Sequence, residues 1–112
     1  MQKTIKPAFL QRISAVQKKF PSYQVDGILF SNISNIRYLS GFTGSDGILI
    51  LSADAVRLLV DGRYTTQAVA EVQPVPVVQY QNKIQGIETA VKEKKKKKIG
   101  FEASFVSVEM FN

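Results

Sequence analysis

Tyr38-Leu-Ser-Gly-Phe-Thr-Gly-Ser-Asp-Gly-Ile-Leu-Ile-Leu-Ser-Ala-Asp-Ala-Val-Arg-Leu-Leu-Val-Asp-Gly-Arg-Tyr64 is the stretch on which the reading of this chain turns. Its two apolar runs, Ile48 to Leu51 and Val56 to Val60, are each strand-length, and Ser52-Ala53-Asp54-Ala55 between them is short enough for a hairpin. Neither run alternates cleanly between apolar and polar. A strand that is apolar on both sides is covered on both sides, so the pair belongs inside a sheet with helices on either face. Antiparallel pairing also brings together the segments that flank the two runs. On one side stand Gly41, Gly44 and Gly47 with Ser45 and Asp46, and on the other Asp61-Gly62-Arg63-Tyr64.

Outward from this hairpin the chain reads as alternating helices and strands. Ile5, Phe9, Ile13, Val16 and Phe20 recur at helical spacing and predict an amphipathic first helix. Pro7 suits its first turn, Lys18 and Lys19 suit its C-terminal dipole, and Pro21 is expected to stop it. Val25 to Phe30 follows as a short strand. Residues 31–35 are rich in helix-capping types, and the helix carrying Ile36 and Leu39 is expected to end at Gly41 in a left-handed cap. After the hairpin, Tyr64, Ala68 and Val72 share a helix face. Val75 to Tyr80 reads as a strand that Pro76 confines to a sheet edge or to a late start. Ile84, Ile87, Ala90 and Val91 predict a last long helix, and Ile99-Gly100-Phe101 a last strand. Ser107 suits the cap of a helix beginning Val108-Glu109-Met110-Phe111, where the sequence stops. The expectation is therefore a single domain, residues 1–112, cut before its C-terminal end. The expected fold class is a three-layer α/β/α domain with a central mixed β-sheet.

Composition narrows the chemistry. The 112 residues, 45% hydrophobic and 21% charged, suit one globular domain. No apolar run approaches the roughly 20 residues that cross a bilayer, and residues 1–20 lack the uninterrupted apolar core of a signal peptide. A cytoplasmic location without a membrane partner is the expectation. The absence of cysteine excludes disulfides and thiolate chemistry. The absence of histidine excludes a Ser-His-Asp triad and imidazole-based zinc sites in this segment. The net charge of +6 is local, because Lys92 to Lys98 holds six lysines and one glutamate. A nucleic-acid groove spreads lysine, arginine and aromatics along a face, so no nucleic-acid partner is expected.

The glycines at 41, 44 and 47 suit either a backbone in close approach to an anion or a tight crossover from helix to strand, and neither the dinucleotide fingerprint nor the P-loop spacing is present. Ser45 and Asp46 lack the partners that would make them nucleophile or base. Arg63 is the stronger candidate. Its planar fork can bind a carboxylate bidentately, with Gly62 on one side and an aromatic on the other. The alternative is that Arg63 pairs with Asp61 or Asp46 and ties the two loops.

Tyr-Leu-Ser-Gly-Phe-Thr-Gly-Ser-Asp-Gly, the apolar hairpin, and Val-Asp-Gly-Arg-Tyr-Thr-Thr-Gln-Ala together resemble the N-terminal domain of the creatinase/prolidase metallopeptidases. The likeness runs along essentially the whole chain and is closest to Xaa-Pro aminopeptidases. It implies that Arg63 takes part in substrate binding, with Asp61, Gly62, Tyr64 and Asp46 as the supporting loop. It also implies a separate C-terminal "pita-bread" catalytic domain holding two divalent metals, usually manganese, on two aspartates, one histidine and two glutamates. No cofactor is expected in this segment. The partners implied are that catalytic domain, a second subunit in a homodimer, and a proline-containing peptide. Two alternatives share the architecture: a prolidase-type dipeptidase, and a non-catalytic module of the kind found in histone-chaperone subunits.

Overall fold

The computed structural model describes residues 7–93 and 99–101. Five strands, β1 (Gly27–Phe30), β2 (Ile48–Ser52), β3 (Ala55–Val60), β4 (Val77–Gln79) and β5 (Ile99–Phe101), form one sheet in the order β4-β3-β2-β1-β5. The apolar runs of the hairpin become β2 and β3, paired antiparallel with Leu49 opposite Leu58 and Ile50 opposite Arg57. On the other side β2 pairs antiparallel with β1, while β4 and β5 run parallel to β3 and β1. Four strands therefore point one way and β2 alone runs back. All of β2 is buried, as are Leu58, Leu59 and Val60, and neither strand has a face in water.

The helices divide unevenly between the faces. Ile28, Phe30, Leu49, Leu51, Leu58 and Val60 point to one side. There they meet α1 (Pro7–Gln17), α2 (Phe20–Tyr23), α3 (Ile33–Ser40) and α4 (Thr65–Val72) through Ile13, Phe20, Leu39 and Val72. Leu29, Ile48, Ile50 and Leu59 point to the other side, where α5 (Lys83–Glu93) covers them with Ile87 and Ala90. Each aliphatic side chain buried in this way contributes about 1.5–3 kcal/mol relative to exposure. The result is the three-layer α/β/α domain with a mixed sheet that the sequence leads one to expect.

Several boundaries move. Pro21 does not stop the first helix: α1 ends at Gln17, and Pro21 lies in the first turn of α2. A proline lacks only an N–H that a first turn leaves unbonded, so it can open a turn as readily as end one. Lys18 and Lys19 accordingly lie beyond α1 rather than in its last turn. The α3 boundaries follow the sequence closely. Asn32 caps its start, accepting from the N–H groups of Ser34 (2.9 Å) and Asn35 (3.2 Å). Gly41 ends it at φ 81°, a backbone that a Cβ would strain. β4 begins late, at Val77, and lies at the sheet edge, with the Pro76 carbonyl accepting from the Leu58 N–H at 2.9 Å. Ile5, the body of the lysine run and the segment around Ser107 lie outside the described residues.

Candidate functional site

With β2 antiparallel to the rest, the carboxyl ends of β1, β3, β4 and β5 share an edge with the start of β2. In open α/β sheets this edge is where ligand-binding loops gather. Both segments flanking the hairpin, residues 41–47 and 61–64, lie here.

Phe42 anchors the first loop. Its side chain is fully buried, and its ring folds beneath Gly44 so closely that a Cβ there would lie 2.2 Å from Cζ. The ring by itself is enough to require glycine at this position. The second loop docks on the same ring: Tyr64 packs edge-on against Phe42, centroids 6.0 Å apart and planes at 89°. The Tyr64 hydroxyl then hydrogen-bonds the Ser45 hydroxyl. Helix α4 holds the first loop from the side. The Thr43 N–H and hydroxyl donate to the two oxygens of Glu71 at 2.8 and 2.6 Å, and Gln67 Nε2 donates to Thr43 Oγ1 at 2.9 Å. Partial burial works against ionisation of Glu71, but the bonds from Thr43 and Gln67, together with the Arg37 charge, outweigh it and hold the carboxyl below its ordinary range.

Of the two partners the sequence offers Arg63, the structure selects Asp61. Asp61 Oδ1 accepts from the Arg63 N–H at 2.9 Å and from Nε at 3.1 Å, while Oδ2 accepts from Nη2 at 2.8 Å. This fork lowers the Asp61 pKa and raises that of Arg63. The guanidinium carbon lies 5.1 Å from the Tyr64 ring centroid, within cation–π range. The ion pair uses one edge of the guanidinium, and the Arg63 side chain is 71% exposed. Arg63 is thus held in one orientation at the surface. Gly62 sits against Gln79, whose Oε1 accepts from Thr65 Oγ1 at 2.7 Å.

Asp46 bonds Lys83 in the first turn of α5, Nζ to Oδ1 at 2.9 Å, and this hydrogen bond raises the Lys83 pKa. Beside them Tyr80 is buried, and its hydroxyl has no hydrogen-bond partner among the described residues. Burial pushes its pKa up, and the nearby Lys83 charge works against that rise. Lys83, Glu71 and Gln67 are the members of this cluster that sequence reading missed. They lie 37, 28 and 24 residues from the groups they bond, and no local motif marks such pairs.

Among the described residues no three acidic side chains come together to hold a metal ion. A cleft of about 240 Å³ beside α5 and β4 is lined by Tyr80, Asn82 and Thr89, and an apolar one of about 80 Å³ by Ile50, Val56, Pro76 and Ala90. Arg63 lines neither.

A mixed α/β domain with charged loops converging at the carboxyl edge of its parallel strands is a class that many functions share. The sequence profile of the Creatinase/Prolidase N-terminal domain matches residues 12–112, and the chain belongs to that family. An uncharacterized peptidase of Bacillus subtilis (strain 168) is 32% identical over 92 residues, 81% of this chain and 26% of that protein. A putative Xaa-Pro aminopeptidase of Mycoplasma pneumoniae is 30% identical over 69 residues, 62% of this chain and 20% of that protein. Among solved structures, the Xaa-Pro dipeptidase from Bacillus anthracis superposes with a TM-score of 0.82 at 28% identity, over 92% of this chain and 29% of that one. The chain thus spans a fifth to just over a quarter of the length of these two relatives.

Proposed function

We propose that this chain is the non-catalytic N-terminal domain of a metal-dependent Xaa-Pro aminopeptidase, and that Arg63 is its substrate-binding residue. The observation that carries the reading is the geometry of Arg63, a guanidinium fixed by Asp61 and Tyr64 and largely exposed, which in this reading a second body would enclose in a cleft. The second body in this reading is the domain's own C-terminal catalytic partner. That partner would carry two divalent metal ions, manganese in the usual case, which supply an activated water for hydrolysis of the bond before proline. Arg63 would bind an anionic or carbonyl oxygen of the peptide and orient it. Asp61, Gly62, Tyr64 and Asp46 would form the frame that holds it. A homodimer in the cytoplasm completes the proposal.

A Xaa-Pro dipeptidase is the second reading, favoured by the fit to the Bacillus anthracis dipeptidase. The two differ in whether peptides longer than two residues are cleaved. The test of Arg63 serves both. In the complete, metal-loaded protein, Arg63→Lys keeps a positive charge but cannot reproduce the planar fork. Losing one charge-assisted contact lowers kcat/KM on a Xaa-Pro peptide by about tenfold to a hundredfold, with Tm nearly unchanged. Unchanged kcat/KM with a lowered Tm would instead make Arg63 a tie between loop residues and nothing more.

A further inference from the structure

We propose that Lys83 is a positioning residue of this site, acting on Arg63 through Asp46, Ser45 and Tyr64. The inference rests on the substrate-facing reading of Arg63 and adds to it a residue from a third element, α5.

The contacts form one chain. Lys83 Nζ bonds Asp46 Oδ1 at 2.9 Å, fixing the loop of residues 44–47 to the first turn of α5. The next residue in that loop, Ser45, hydrogen-bonds the Tyr64 hydroxyl. The Tyr64 ring is the surface on which the Arg63 guanidinium rests. The Tyr64 ring packs edge-on against Phe42, and the Ser45 bond fixes its hydroxyl. The position of Ser45 in turn depends on what holds Asp46. Lys83 reaches Asp46 from the α5 face of the sheet, opposite the layer that holds Phe42 and α4. The loop is thereby tied from both layers: Thr43 to Glu71 on α4, and Asp46 to Lys83 on α5.

Both partners are partly exposed, at 42% and 40% of their side-chain surface, so the pair contributes little to global stability. Its effect lies in alignment, and the test separates the two. In the complete, metal-loaded protein, Lys83→Met is expected to lower kcat/KM on a Xaa-Pro peptide by about two- to fivefold, the range that an exposed ion pair supplies, while Tm stays nearly constant. Lys83→Arg, which can still reach Asp46, restores most of it. The deciding measurement is the double variant. In an Arg63→Lys background, Lys83→Met has no further effect, because the residue it positions has gone.

An unchanged kcat/KM for Lys83→Met beside an impaired Arg63→Lys overturns this inference alone. The same fold loss in both backgrounds also overturns it, since Lys83 would then act independently of Arg63. An Arg63→Lys protein of full activity overturns the inference together with the reading it rests on.

Discussion

The two ends of the β2–β3 hairpin are made from the same strands and are closed by different chemistry. At the tip, polar side chains satisfy backbone carbonyls: Gln17 Nε2 donates to Ser52 O at 2.8 Å and, at 3.4 Å, to Ala55 O. At the open end, side chains bond other side chains across the fold, Thr43 to Glu71, Ser45 to Tyr64 and Asp46 to Lys83. Closing a two-residue turn needs only what the tip has. The open end adds an aromatic shelf, an exposed guanidinium and two ion pairs. Polar groups in excess of what closure requires, gathered at the carboxyl edge, distinguish the open end from the tip, and the proposed recognition role rests on them.

The strand residues between the two ends should not share that difference, and the largest expected effect tests this. Leu58 is fully buried against the main helical layer. Leu58→Ala should destabilise the domain by about 2–5 kcal/mol, a large part of a typical domain's stability, and loosen both ends together. Denaturant unfolding followed at each end by site-specific probes would show one transition. Two separable transitions would mean that the ends are independent, and the comparison would lose its basis.

A smaller effect should be confined to the open end. In Gly44→Ala the new methyl carbon meets Phe42 Cζ at 2.2 Å, so the ring on which Tyr64 packs must move. Such overpacking costs about 1–3 kcal/mol. Asp54→Ala at the tip, by contrast, removes one long 3.3 Å bond from Ser52 and should stay within about 0.5 kcal/mol. Equal losses of Tm for the two variants would erase the distinction between the ends.

What could be read from the sequence follows the range of each interaction. The strands, α3 and α4 were legible because periodicity, Asn32 and Gly41 act within a few residues. The sequence alone does not settle Pro21, because proline can either stop or open a helical turn and only packing decides; here Phe20 is buried in the core at the start of α2. At the site, the Arg63 pairing with Asp61 was legible as one of two options, since the residues are two apart. Asp46 is bonded instead by Lys83, from α5. Glu71 and Lys83 were invisible, since their partners come together only when the sheet forms.

The smallest loss of stability expected at the open end concerns Glu71 and depends on pH. Its folded pKa lies below the ordinary value of 4.5, so between those two values the unfolded chain binds more protons than the folded one. Its stabilising contribution is therefore complete above pH 4.5 and disappears as the pH falls through the lower, folded value. Glu71→Gln keeps a carbonyl that can accept from Thr43 but gives up the charge, and should cost about 0.5–1 kcal/mol at neutral pH. The difference from wild type should shrink as the pH drops below 4.5, while Asp61, also lowered, keeps the remaining curve from becoming flat. Tm measured for both proteins from pH 3 to 7 checks this. A gap that stays constant down to pH 3 would mean that the charge of Glu71 does not hold the Thr43 loop, and that neutral bonds tie that loop as the Gln17 amide ties the tip.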